Sequence, residues 1–420
     1  MGFASTYLET RTLFPQLIKE APDKKTGITA VVPAFDEPEI TTLLDSLINC
    51  NEPDCKVEVI VIVNSPLHSS IESQENNRKS ISEIETWKKQ NINTFFRLFL
   101  VDKTNCPIKE WGVGLARKTG MDEAIRRFNN LDKPDGVIIN LDADCTVEKN
   151  YFRAIYEELA SRKERSACSV YFEHPLSGNK FPENVFRSIA LYELHLRYYY
   201  QGLKFTGFPY AYHTVGSALA VKAMPYIKCG GMNRRQAGED FYFVQKLLPA
   251  GGYFSLNTTT VYPSPRESFR VPFGTGVVVS KLLEGRETTL PSYNLQSFKE
   301  LQDLFSKIDK LFHCSTDDLL NLFGSLPQGI QLFIKDDEWV NKLNEIKANT
   351  SSLHSFHKRF FNWFNMFRIV KYLNHSHSRI FKKTPVTESA VELLDILGNN
   401  FRSDDPREIL DFYRRLEKVV

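Results

Sequence analysis

The sequence predicts an α/β protein: a doubly wound, mostly parallel sheet with helices on both faces, followed by an α-helical C-terminal domain. Three observations predict it. Between residues 28 and 172, short apolar runs alternate with segments of helical periodicity, the pattern of parallel strands joined by crossover helices. The runs at 28–33, 57–63 and 137–141 are apolar almost throughout, as strands covered on both faces require. From about residue 285 strand signals fade and apolar residues recur every three or four positions, as at Leu301, Leu304, Phe305, Ile308 and Leu311.

Residues 1–26 are a polar lead-in ending in the turn-like stretch 22–27. The first strand, 28–33, stops at Pro33, and a helix over 39–49 follows, with Ile40, Leu43, Leu44, Leu47 and Ile48 on one face. A second strand (57–63), a polar surface loop and helix (69–90), a third strand (97–101) and a helix over 115–128 complete the first half. The fourth strand runs into Asp142 and Asp144. A helix (151–160), a strand (167–172), a long aromatic helix (185–201), a strand (214–221) and a helix (239–248) come next. This gives a lead-in over 1–26, one large α/β domain over 27–284 and a helical domain over 285–420.

Composition narrows the class. With 42% apolar and 25% charged residues the chain has an ordinary globular balance, and its net charge of +2 argues against a whole-chain nucleic-acid role. Seven cysteines, an odd number with no Cys-X-X-Cys pair, fit neither a disulfide framework nor a zinc site. No signal-length apolar core opens the chain, and no run reaches the roughly twenty apolar residues of a membrane span. A soluble, cytoplasmic protein is expected, with peripheral membrane contact as a further candidate location.

Five stretches carry chemistry. In Asn140-Leu-Asp142-Ala143-Asp144 two hard oxygen donors one residue apart follow a buried strand. Ligands of open α/β sheets bind at that edge, and such donors suit Mn²⁺ or Mg²⁺ shared with a diphosphate. The first strand ends in Pro33-Ala34-Phe35-Asp36-Glu37, which presents carboxylates to a base or ribose. Glycines at 112 and 114 open a helix carrying Arg117 and Lys118, a natural phosphate site. Glu239 and Asp240 begin a helix after the glycine loop, whose Gly231 and Met232 are candidates for the acceptor side, and a carboxylate so placed can act as a general base. Arg266 and Arg270 lie on a proline-held segment suited to forking a diphosphate. His174 and His213 are candidates for acceptor or metal contact, and Tyr192 for the acceptor side. Cys145 reads as a small buried filler.

In this order, Val-Val-Pro-Ala-Phe-Asp-Glu, Gly-X-Ala-Arg-Lys-X-Gly, Leu-Asp-Ala-Asp and Gly-Gly-Met-Asn…Gly-Glu-Asp resemble the motifs of family-two glycosyltransferases of the GT-A fold, over residues 27 to about 280. The resemblance implies inverting transfer of a sugar from a nucleoside-diphosphate sugar to an acceptor hydroxyl. It puts Asp36 and Glu37 by the base and ribose, and Asp142 by the ribose and metal. Asp144 would hold the metal, and Asp240 would be the base with Glu239 beside it. Two departures stand out. Asp36 replaces the usual Asn, and Asn64-Ser65-Pro66 replaces an acidic cluster, leaving Asn64 at the nucleotide site. Many relatives also use a downstream histidine as a metal ligand, whereas here none follows Asp240 until His313.

Alternatives are a retaining GT-A transferase of the glycosylglycerate-synthase kind and a non-catalytic sugar- or partner-binding protein on the same scaffold. Residues 354–383 hold seven Lys or Arg, no acid, and an aromatic stripe from Phe356 to Phe367. That stretch is first a core or subunit contact, in a homodimer for example, and second a peripheral membrane contact.

Overall fold

The protein is described by a computed structural model over residues 2–106, 111–266, 275–283 and 289–418. It divides into two units, one of residues up to 175 with 214–277, the other of 176–213 with 278 onward. The expected boundary at 284/285 left the long aromatic helix with the sheet. The structure groups it with the helical unit.

In the first unit the order is α1 (Ser5–Thr10), β1 (Thr26–Ala34), α2 (Ile40–Ile48), β2 (Lys56–Pro66), α3 (Ile71–Gln90), β3 (Phe96–Cys106), α4 (Val113–Asn130), β4 (Val137–Asn140), β5 (Cys145–Val147), α5 (Tyr151–Ala160) and β6 (Ala167–Phe172). After α6 (Glu183–Phe205), which belongs to the second unit, come β7 (Leu219–Lys222), α7 (Ala223–Lys228), α8 (Glu239–Leu247) and β8 (Tyr253–Pro263). The strands form one sheet in the order β3-β2-β1-β4-β7-β6-β8-β5. Neighbours from β3 to β4 are parallel, as are β6 and β8, while β7 and β5 run against their neighbours. The doubly wound α/β reading holds. Periodicity missed β8, whose polar Asn257-Thr-Thr-Thr260 centre carries no apolar signal, and the three-residue β5.

Register explains how distant acids meet. Val31 pairs with Asn140, and Ala34 with Val63. The ends of β1, β2 and β4 therefore lie at one edge, with Asp36–Glu37, Asn64 and Asp142–Asp144 just beyond it. Every residue of β1 is buried, as a central strand covered on both faces should be.

Helix α4 is buried nearly all round because residues 2–20 cover the side turned away from the sheet. Glu123 accepts the Leu17 and Ile18 amides, both at 3.1 Å, and the Tyr7 hydroxyl donates to Asp122 at 2.8 Å. Ile18 joins Ile60, Ile62, Phe99, Val101 and Ala116 in one apolar cluster. The stretch expected as a lead-in is thus part of the packing. Its polar composition hid this, since its role is to satisfy buried charges.

The second unit contains α6, then α9 (Thr275–Leu283, within which the division falls), β9 (Pro291–Ser292), α10 (Leu295–Ser306), α11 (Ile308–His313), α12 (Thr316–Gly324), α13 (Gln328–Phe333) and α14 (Asp336–Ala348). It ends with α15 (Leu353–Trp363), α16 (Met366–Arg379), β10 (Thr384–Pro385), α17 (Val386–Ile396) and α18 (Pro406–Lys418). The aromatic stripe spans two helices, because Asn365 caps α16 by accepting the Arg368 amide at 3.2 Å. Phe356, Phe360 and Phe364 are fully buried, so they are core. No helix among the described residues is long and apolar enough to cross a membrane.

Candidate functional site

The site is assembled around two arginines. Arg117, in the first turn of α4, reaches Asp142 with Nη2 at 2.5 Å and Glu239 with Nη1. It therefore ties the acid after β4 to the acid opening α8. Burial opposes its charge, but Asp142, Glu239 and Asp240 more than restore it and hold Arg117 above its ordinary value. Two glycines let the chain close here. A Cβ on Gly216 would lie 2.3 Å from Arg117 Nη1, and one on Gly114 only 2.2 Å from the Arg235 carbonyl oxygen. The first turn of α4 can meet the loop before α8 because Gly114 lacks a side chain, and Gly216, before β7, leaves room for the Arg117 guanidinium.

Asp240, next to Glu239, is half-buried and accepts the Phe241 amide at 2.6 Å. Burial and the Glu239 charge push its carboxyl up to about 7, against the opposing pull of Arg117. A carboxylate poised there can take a proton near neutral pH.

Arg266, just past β8, forks Glu37 through Nη1 at 2.9 Å and through Nη2. The same Nη2 lies 3.2 Å from Asp144 Oδ2. Glu37 is 2% exposed. Both arginines keep a buried Nε without a hydrogen-bond partner.

Around these lie the supporting residues. Pro33 and Ala34 close β1, and Ala143 is buried between the paired aspartates. Asp36 has a positive φ of 52° and is held by α3: its amide donates to Asn77 at 2.8 Å, and its carboxylate accepts from Asn76 at 2.6 Å. Buried Asn64 donates to the Gly112 carbonyl at 3.1 Å, fixing the residue that precedes α4. Cys145 is buried, and burial followed by the Asp144 charge raises its thiol, so it is an inert filler.

Several expected residues sit elsewhere. Lys118 turns from the acids because one step along a helix rotates the side chain by about 100°. It meets Asp122 at 2.9 Å and the Tyr7 hydroxyl at 3.3 Å. Met232 is a core residue at 2% exposure, and the Gly231 carbonyl accepts from Lys246, so both pack inside instead of facing a ligand. His174 is buried after β6, its ring edge-on to Phe172 at 6.0 Å. His213 and Tyr192 belong to the second unit, where His213 Nε2 is 3.0 Å from Glu417. That contact occupies one of the two His213 ring nitrogens. Arg270 lies outside the described residues.

Sequence reasoning missed Trp111, whose ring meets Phe35 edge-on at 5.0 Å. An aromatic beside the acids at the end of β1 and another before α4 were the available signal. It also missed Gly216, which no local pattern marks.

Comparison with known proteins gives likenesses among solved structures. S. aureus TarS 1–349 in complex with UDP-GlcNAc is 13% identical, with 90% of this chain and 93% of that one covered and a TM-score of 0.40. The mannosyltransferase PcManGT from Pyrobaculum calidifontis, in complex with GDP-Man and Mn²⁺, is 13% identical over 99% and 92%, with a TM-score of 0.33. Glucosyl-3-phosphoglycerate synthase from Mycobacterium tuberculosis, in complex with Mg²⁺ and UDP, is 12% identical over 55% and 69%, also at 0.33. No family model and no curated protein matches the sequence. At these identities and TM-scores no property of the three transfers to this chain, whose own residues must carry the function.

Proposed function

We propose that the protein is a glycosyltransferase that moves a sugar from a nucleoside-diphosphate sugar to an acceptor hydroxyl with inversion. One observation carries the reading. Arg117 ties the acid after β4 to the acid opening α8, Arg266 ties Glu37 to Asp144, and burial with the Glu239 charge raises the Asp240 carboxyl to about 7. A purely structural ion-pair cluster has no use for a carboxyl raised in this way. A site that must deprotonate an alcohol does.

In this reading Asp240 accepts the proton of the acceptor hydroxyl as its oxygen bonds to the anomeric carbon. The bond from that carbon to the diphosphate breaks, and its electron pair leaves with the phosphate oxygen. Glu239, held by Arg117, stands beside Asp240, and its interaction helps raise the base's proton affinity. Arg117 and Arg266 each have an unused Nε–H for phosphate oxygens. Asp36, Glu37 and Asn64 line the end of the sheet for the nucleoside.

Asp142 and Asp144 fit a divalent cation whose remaining positions a diphosphate fills, as Mg²⁺ commonly binds through one or two carboxylates plus substrate phosphates. Among the described residues no set of three His, Cys, Asp or Glu could hold it alone. When bound, the cation supplies counter-charge to the departing diphosphate.

A thermal-shift panel of UDP-, GDP- and ADP-sugars with and without Mn²⁺ tests the reading, since a ligand of the folded state raises Tm. One nucleotide series should stabilise the protein, and Asp142→Asn should lose that gain. No shift from any of them contradicts it. Product anomeric analysis then separates inversion from retention.

A further inference from the structure

Arg266 stands on the carboxylate that a cation would have to use. Its two terminal nitrogens grip both oxygens of Glu37, a buried acid that fixes the guanidinium at the sheet edge. The same Nη2 reaches Asp144 Oδ2 at 3.2 Å. A guanidinium does not lose its charge at any working pH, and the acids beside Arg266 hold its proton still more tightly despite burial. No histidine lies between Asp240 and His313 to offer a cation another ligand. A divalent ion approaching Asp144 alone therefore meets a fixed positive charge within a few ångströms.

We propose that Arg266 is a tethered counter-ion of Asp144 that must be displaced before a divalent cation binds, so that cation and diphosphate enter together and not cation first. The inference rests on the donor reading above. A diphosphate brings oxygens that can take over the guanidinium, whose Nε is buried and unused. The fork to Glu37 stays as the tether while Asp144 is released. Neither partner then binds well without the other.

The test is titration of Mn²⁺ alone into the full chain, read by calorimetry and by the electron paramagnetic resonance of free Mn²⁺. Arg266→Gln should bind Mn²⁺ at least tenfold tighter than the wild type, whereas Arg266→Lys, which keeps the charge, should stay weak. Adding UDP or GDP should raise wild-type affinity at least tenfold and narrow the gap. If Arg266→Gln fails to fold, the double variant Glu37→Gln/Arg266→Gln removes both members of the buried pair and serves instead. Nucleotide-free Mn²⁺ affinity no tighter than wild type in the Gln variant overturns the inference. A tighter Gln variant with no nucleotide effect in either protein supports the counter-ion and overturns the donor reading.

Discussion

In the second unit Arg197, fully buried, donates to Glu193 at 2.8 Å and to Glu417, while Arg414 forks Glu193 at 2.8 and 2.7 Å and His213 meets Glu417 at 3.0 Å. In the first unit Arg117 is buried just as thoroughly but is shared by Asp142 and Glu239, with Asp240 beside them. The first arrangement gives each acid more than one cationic or imidazole partner, and Glu417 is held below its ordinary value by Arg197 and His213 in spite of burial. The second leaves an acid over, and that acid is pushed the other way. Both central arginines are buried and hydrogen-bonded, so burial alone does not separate structure from chemistry. The balance of charge does.

The largest expected effect comes from removing each central arginine. Breaking a buried ion pair costs about 3–5 kcal/mol, because it strands the remaining charge. Arg117→Met and Arg197→Met should both lower stability by that order in urea melts. Only Arg117→Met should also abolish donor binding by the folded fraction. Loss of donor binding in Arg197→Met would break the contrast.

Next is Asp240→Asn. Loss of a general base costs roughly 10²–10⁴-fold in rate, so kcat should fall in that range while donor affinity changes little. The same variant sharpens the electrostatic half of the comparison. A carboxyl raised from 3.8 to about 7 binds a proton in the folded state that the unfolded chain has lost. Stability must then fall as pH rises between those values. Asp240→Asn removes this penalty, so its Tm advantage over the wild type should grow from near zero at pH 4 to a plateau above pH 7. Glu417, with its value lowered, works in the opposite sense and withdraws stability as the pH falls. A pH-independent Tm difference for Asp240→Asn would show that its carboxyl is not raised.

The smallest expected effect on binding belongs to Lys118→Met. Its partners are Asp122 and Tyr7, so Tm should drop while donor affinity stays within about twofold. A tenfold loss of affinity would return Lys118 to the phosphate site.

Much of this arrangement could be read from the sequence, and the parts that could not share a cause. Continuous apolar runs gave the parallel strands, because strands buried on both faces leave no other pattern. Acids at strand ends gave Glu37, Asp142 and Asp144, and the glycine loop gave Glu239 and Asp240. What local pattern cannot carry is direction in space. Arg117 and Lys118 are adjacent and alike in sequence, but helix rotation sends one to the acids and the other to Tyr7. Residues 1–26 read as a polar lead-in by composition, yet Tyr7, Leu17 and Ile18 satisfy Asp122 and Glu123. His213 has a ring nitrogen on Glu417, 204 positions later, a pairing no local pattern carries.

The most direct measurement is release of sugar from the nucleotide series that stabilises the protein, followed from pH 5 to 9 in the wild type and in Asp240→Asn, with water standing in for the acceptor. The account predicts a rate that rises through about pH 7 in the wild type, and a far lower, flat profile in the variant. Equal profiles in the two proteins, or no release from any nucleotide sugar, would contradict it.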